Sequence, residues 1–250
     1  MEEILLNSLE SIRQNADDGK KAIQKIKNID GINAESAIIV DLPNGEKGLA
    51  CSIHYFDHPG EECVQIFDAN GNHIKSLIEP EYNRGYPVRT RLCKDDEYLY
   101  VLAENCPTPF MARYKMGTFE CDWKREIKSP TSFIANIAAT DDKIVFYCAN
   151  SKGIRQVDKS TGEELELLCH LNWEIGHGQQ AHRAVAVHGG KILTATIDAE
   201  CSLIDVDVQT GAIEKQASNS TSISLANNNS RATSNATIGS VAIDPENQII

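Results

Sequence analysis

The sequence is poor in the features that announce a chemistry. No apolar run approaches the ~20 residues that a membrane-spanning helix needs. The amino end, MEEILLNSLESIRQN, has neither a basic start nor a continuous apolar run, so it does not read as a secretory leader. The eight cysteines (51, 63, 93, 106, 121, 148, 169 and 201) stand at least 12 residues apart, which excludes the close pairs of a zinc knuckle or a dithiol redox motif. Positive charge is short: 24 Lys and Arg against 36 Asp and Glu give a net charge of −12. That balance disfavours RNA or DNA binding by a wholly basic surface, because phosphate neutralisation supplies most non-specific affinity. A local basic patch is still compatible with it. No nucleophile–base pair or ligand cluster stands out, and neither a metal nor another cofactor is expected. Together these absences read as a cytoplasmic protein with reduced thiols, in which Cys63, Cys93, Cys148 and Cys201 serve as small apolar filler in strands. In that compartment the sequons at Asn219, Asn228 and Asn235 carry no meaning for glycosylation.

What the sequence does contain is a repeat. In IRQVDKSTGEELELL (154–168) an apolar strand reaches Asp158, turns at Thr161-Gly162 and leaves as a second alternating strand, the pattern of a β-hairpin. The unit recurs as VQIFDANGNHIKSL around Gly71, MARYKMGTFECDW around Gly117 and SLIDVDVQTGAIEKQ around Gly211, with turn glycines 46, 45 and 49 residues apart. A period of roughly 40–50 residues with four short strands per unit is the signature of propeller blades. The spacing predicts blades over 35–79, 88–128, 132–171 and 182–217, with inner hairpins turning at Asn44-Gly45, Asp95-Asp96, Asp141-Asp142 and Gly189-Gly190. Residues 217–238 are rich in Ser and Asn and read as a loop. GSVAIDPENQII (239–250) restarts the inner-strand pattern, as the beginning of a fifth blade. Ahead of the repeats, Leu5, Leu9, Ile12, Ala16, Gly19, Ile23 and Ile26 keep a four–three spacing. They predict an amphipathic α-helix over 1–30, readable either as the end of a coiled coil or as a helix lying on the propeller. The expected fold class is therefore an all-β propeller of four complete blades and part of a fifth, preceded by a helix.

VQIFDANGNHIKSL resembles the NHL repeat, in which an apolar strand ends in Phe-Asp before a glycine turn. The second unit has Tyr114-Lys115 at that place, and VDKSTGEEL and VDVQTGAIE look equally like quinoprotein or WD-type blades. The helix before the propeller is similar to the order in tripartite-motif NHL proteins. The RING and B-box modules found there are not in this sequence. The resemblance implies the substrate-recognition part of a ubiquitin-ligase-like protein, or an RNA-binding NHL propeller.

In a propeller the loops between the outer strand of one blade and the inner strand of the next share a face with those between second and third strands, and that face is the usual binding surface. Arg84, Arg89 and Arg91 fall there beside Tyr82 and Tyr86, a combination suited to an anionic peptide or a single-stranded nucleic acid. The competing reading is a solvated rim paired with Glu79 and Glu81. Trp173, His177, His182 and Arg183, in NWEIGHGQQAHR, form a second candidate, with Trp173 as an anchor or as packing. Asp68 in DANGN reads as a turn acceptor, because the glutamate due twelfth in an EF-hand loop is Glu79, after a strand. A metal-dependent lactonase-type propeller is the alternative enzyme reading. Only Glu35 and Asn136 stand at plausible inner positions for it, with Arg91 and His182 in the equivalent places, and two oxygen ligands are too few for calcium. The sequence thus reads as a non-enzymatic binding scaffold with a protein partner and no membrane contact. A propeller cut inside its fifth blade is expected to self-associate through the open blade edge or the helix. Light scattering and calorimetry of residues 1–250 should show dimers or larger species, and a monodisperse, cooperatively melting monomer would refute this.

Overall fold

The structure is a computed structural model. It describes residues 32–55, 62–78, 89–104, 108–128, 137–148, 151, 153–171, 182–196 and 202–218, and for 32–36, 54–55, 62, 182–184, 195–196, 202–203 and 215–218 the backbone only. The expected helix, the Ser/Asn-rich loop beyond Ser218 and the fifth blade lie outside these residues.

Four antiparallel sheets are described. The first contains β1 (Ile32–Asp41), β2 (Lys47–Tyr55), β3 (Glu62–Asp68) and β4 (His73–Ile78), and the second β5 (Arg89–Lys94), β6 (Tyr98–Glu104), β7 (Phe110–Lys115) and β8 (Cys121–Glu126). The third is β9 (Ile137–Ala139), β10 (Lys143–Cys148), β11 (Gly153–Asp158) and β12 (Cys169–His170), and the fourth β13 (His182–His188), β14 (Lys191–Thr196), β15 (Ser202–Asp207) and β16 (Ile213–Ser218). Within each sheet the strands pair in sequence order, the up-and-down order of a blade. The chain divides into two compact units, 1–126 with blades 1 and 2 and 127–250 with blades 3 and 4.

Alternation does not mark these strands, because both of their faces are buried. On blade 1, Val40, Ala50, Val64 and Ile66 face a seam shared with Leu92, Leu99, Val101 and Ala112 of blade 2. The opposite face of the same blade carries Leu49, Cys51, Ile53, Cys63 and Phe67. A buried hydroxyl pair, Ser52 Oγ to Thr90 Oγ1 at 2.6 Å, ties β2 to β5. In the second unit Val145, Tyr147 and Ile154 of blade 3 pack with Val185, Ile192, Ile204 and Val206 of blade 4. Cys51, Cys63 and Cys148 are buried as filler, whereas Cys93 and Cys169 are half-buried and Cys121 is exposed.

Blade 3 departs from expectation. Its outer strand, anticipated over 163–169, shortens to Cys169–His170, with an isolated bridge between Val157 and Glu164. Gln156 explains the gap, since its side-chain amide donates to the Glu166 carbonyl at 2.9 Å and takes a place that a backbone donor would fill in a regular ladder. The main chain stays attached through Leu165 N to Gln156 O and Leu168 N to Ile154 O, both 3.0 Å.

The outer turns share one design with one exception. In blade 3, Asp158 N donates to Glu163 O and Gly162 N to Asp158 O, and in blade 4, Asp207 N donates to Ala212 O and Gly211 N to Asp207 O, all at 2.9 Å. The aspartate caps each turn. Asp158 Oδ1 accepts from Ser160 N and Thr161 N at 2.8 Å, and Asp207 Oδ1 accepts from Thr210 N at 2.7 Å. The Ser160 hydroxyl above all, with the Thr161 amide, holds the Asp158 carboxyl below its ordinary pKa; for Asp207 the Thr210 amide does so first. Asp68 caps the blade 1 turn in the same way, accepting from Asn70 N and Asn72 N at 2.8 Å.

Blade 2 has Lys115 at the aspartate position, and here the sequence pattern misleads. Lys115 N donates to Glu120 O and Phe119 N to Lys115 O, so Phe119, not Gly117, occupies the place of Gly162 and Gly211. It keeps their left-handed backbone, with φ of 52° against 75° and 70°. A side chain there costs about 1–2 kcal/mol, which burial of the ring, 1% exposed in the blade 1–2 seam, offsets with about 2 kcal/mol. Blade 1 supplies the missing cap. Lys75 Nζ donates to Phe119 O at 2.8 Å and Thr118 O at 3.2 Å, and Gly117 N donates to Asp41 O at 3.1 Å. Phe119→Ala should therefore destabilise by about 3–5 kcal/mol. Phe119→Gly, which loses the same ring but sheds the backbone strain, should cost about 1 kcal/mol less. Urea denaturation of both variants decides this, and a glycine variant less stable than the alanine variant would refute it.

Candidate functional site

The sequence candidates fall into two groups. Arg89 and Arg91 lie on β5, while Arg84 and Tyr86, just before it, are outside the described residues. His182 and Arg183 open β13 in the other unit, with their backbone alone described, and Trp173 and His177 lie outside. Glu35 is described by its backbone and Asn136 not at all, so the inner-strand ligand set weighed for a lactonase falls outside the described side chains.

The end of blade 2 that holds Arg89 is built by four strands. The start of β5, the end of β6, the start of β7 and the end of β8 meet there, opposite the turns at Asp95–Glu97 and 116–120. Arg89 pairs with Glu104 across the β5–β6 ladder. Arg91, Leu102, Met111 and Arg125 form one row across all four strands. Residues directly opposite share a face, as do residues two apart on a strand. One face therefore carries Arg89 and Arg91 on the inner strand and Arg125 on the outer one.

These arginines are not equivalent. Arg91 Nη2 lies 3.4 Å from Oε1 of Glu104, whose side chain is 0% exposed, and Arg91 Nη1 donates to Thr90 O at 2.9 Å. Deeper in the same blade, Arg113 is bound to Asp122, with Nε to Oδ2 at 2.9 Å, and stacks 4.1 Å from the Tyr98 ring centroid and 5.6 Å from that of Trp123. Burial works against the Arg113 charge, but the Asp122 carboxylate outweighs it and raises the guanidinium pKa. Arg89, half-buried, has neither a hydrogen-bond nor an ion-pair partner among the described residues. Arg125 is exposed and donates to the Lys124 carbonyl at 3.2 Å, with no carboxylate partner among them. Beside it Lys124 Nζ sits 3.7 Å from the Phe110 ring centroid. The segment 88–128 holds eight Lys and Arg against seven Asp and Glu, a net of +1, whereas 35–79 holds two against eight, a net of −6. In a chain of −12 the second blade is locally basic.

The aromatic residues of this blade are committed to packing. Tyr100 is buried and Trp123 is 7% exposed. Burial, and then the hydrogen bond to Asp95, raises the Tyr100 hydroxyl pKa, and burial pushes Tyr114 up to about 12. Burial likewise pushes the Cys51 thiol up to about 12. Sequence reasoning found Arg89 and Arg91 from their neighbours in the chain. It missed Glu104, Phe110, Lys124 and Arg125, which strand register alone brings to the same end.

No family model matches the chain, and no curated protein matches it. Solved structures do. It is similar to the Dos1 propeller, with a TM-score of 0.56 and 8% identity over 86% of this chain and 50% of that one. It is also similar to a chain in the crystal structure of the mitotic checkpoint complex, with a TM-score of 0.55 and 13% identity over 88% and 57%. Such identities show the fold alone, and with the four four-stranded sheets they place the chain in the β-propeller class. The chain spans about half the length of the solved chains it matches.

Replacing Glu104 by Leu should cost about 3 kcal/mol, because it strips the Arg91 charge of its buried counter-ion. Arg91→Met combined with Glu104→Leu should recover most of that loss. A double-mutant cycle in urea measures the coupling, and additive losses would show that the pair is not one unit.

Proposed function

We propose that this chain is a non-enzymatic, cytoplasmic protein-binding module, and that a partner docks an anionic surface on the end of blade 2 where β5 begins. The observation that carries the reading is Arg89. Arg91 and Arg113 each face a carboxylate, while Arg89 stands at the start of a strand with none among the described residues. An unpaired guanidinium on a rigid strand is preorganised for bidentate contact with a partner's carboxylate. The propeller class supports a scaffold role, and the mitotic checkpoint complex is by its own description an assembly. Substrate recognition in a ubiquitin-ligase-like NHL protein is the finer form of the reading, supported by VQIFDANGNHIKSL. Trp173, His177, His182 and Arg183 are proposed as a separate contact on the second unit.

Arg89→Glu should abolish capture of the partner while leaving the melting temperature nearly unchanged, since no described interaction is lost. Pull-down of a partner identified with wild-type protein, repeated with the variant, tests this. Equal recovery would refute the site.

A further inference from the structure

The strand register assigns a more specific ligand to this end of blade 2. We infer that it takes an extended acidic peptide segment bearing two carboxylates four residues apart, one held by Arg89 at the inner edge and one by Arg125 at the outer edge. The inference rests on the reading of Arg89 as a binding residue and adds the second arm, the spacing and the ligand class.

Arg89 and Arg125 share a face and lack carboxylate partners among the described residues, while Arg91 between them is neutralised by Glu104. Three inter-strand spacings and one two-residue step separate their backbones by about 16 Å. An extended peptide advances about 3.4 Å per residue and returns a side chain to the same side every second residue. Carboxylates at i and i+4 are thus about 14 Å apart on one side, and the long arginine side chains close the difference. Carboxylates at i and i+2, about 7 Å apart, cannot engage both. Lys124 adds positive charge at the outer edge, and Glu126, exposed on the opposite face, is the acidic side chain beside it.

The same geometry argues against single-stranded RNA as the occupant. Sequence-tolerant RNA binding needs bare aromatic faces on which bases stack. Here Lys124 covers Phe110, Arg113 covers Tyr98, and Tyr100, Tyr114, Phe119 and Trp123 are buried.

Fluorescence anisotropy of the 250-residue protein with fluorescein-labelled nonapeptides tests the inference. The peptides carry two glutamates at i and i+4, two at i and i+2, or glutamines in their place, on a Ser/Thr/Val background. The i,i+4 peptide should bind about tenfold more tightly than the glutamine peptide, as expected of two charge-assisted contacts at a solvated surface. Arg89→Gln and Arg125→Gln should each weaken it severalfold, and Arg125→Gln should also erase the preference for i,i+4 over i,i+2. Lys94→Gln, at the other end of β5, should change nothing, and circular dichroism should show all variants folded. Equal binding of both spacings, or no effect of Arg125→Gln, overturns the two-arm ligand while leaving Arg89 as a contact. No effect of Arg89→Gln overturns both readings. Absence of peptide binding, or tighter binding of a uridine 12-mer, overturns the peptide ligand.

Discussion

Each blade is a sheet without a solvent side, and most other features follow from that constraint. Ile144 to Cys148 are all buried on one strand, so β10 can persist only if both of its faces are covered. A four-stranded sheet exposed on either face would leave such residues in water, at about 25 cal/mol per Å² of apolar surface. In the first unit the seam joining Val40, Val64 and Ile66 to Leu92, Leu99 and Val101 meets the requirement, and in the second the Tyr147–Ile204–Val206 seam does so. With the faces spent on packing, strand ends and edges are what such a blade has left for recognition. The arginines of blade 2 that carry no carboxylate stand at those places.

Charge within blade 2 is sorted by depth. Arg113 is enclosed by Asp122, Tyr98 and Trp123. Arg91 is tethered to a fully buried glutamate, an arrangement that fixes its position at the cost of desolvating the carboxylate. Arg89 and Arg125, on the same face but at its margins, have no such tether among the described residues. The tethered arginines hold the blade's shape, and the marginal ones present charge to whatever approaches.

Much of the fold was legible in the sequence, because turn chemistry is local. Asp158 with Thr161-Gly162 and Asp207 with Thr210-Gly211 place a capping acceptor and a left-handed residue at fixed offsets, and the strands follow from the apolar runs between them. The exceptions arose where tertiary contacts override the local signal. Gly117 looked like the homologous turn glycine, yet the equivalent position is Phe119, tolerated because blade 1 receives its ring. The outer strand of blade 3 alternates properly in sequence, but a single glutamine side chain displaces the ladder. At the candidate site, Arg89 and Arg91 were visible as neighbours in the chain. Glu104 and Arg125 belong with them only through the pairing of four strands, which spacing cannot disclose.

The outer turn of blade 2 also bears on how the chain reaches its native state. The turns of blades 1, 3 and 4 close with their own aspartate, so each hairpin can form from its own residues. That of blade 2 borrows Lys75, the Asp41 carbonyl and a pocket for Phe119 from blade 1. Until blade 1 exists, the hairpin carries backbone strain with no burial to offset it. Blade 2 is therefore completed after blade 1 and not independently of it, which departs from the nearest-neighbour symmetry of simple repeat arrays. During synthesis, where amino-terminal segments emerge first, that order coincides with the order in which the ribosome delivers the two blades.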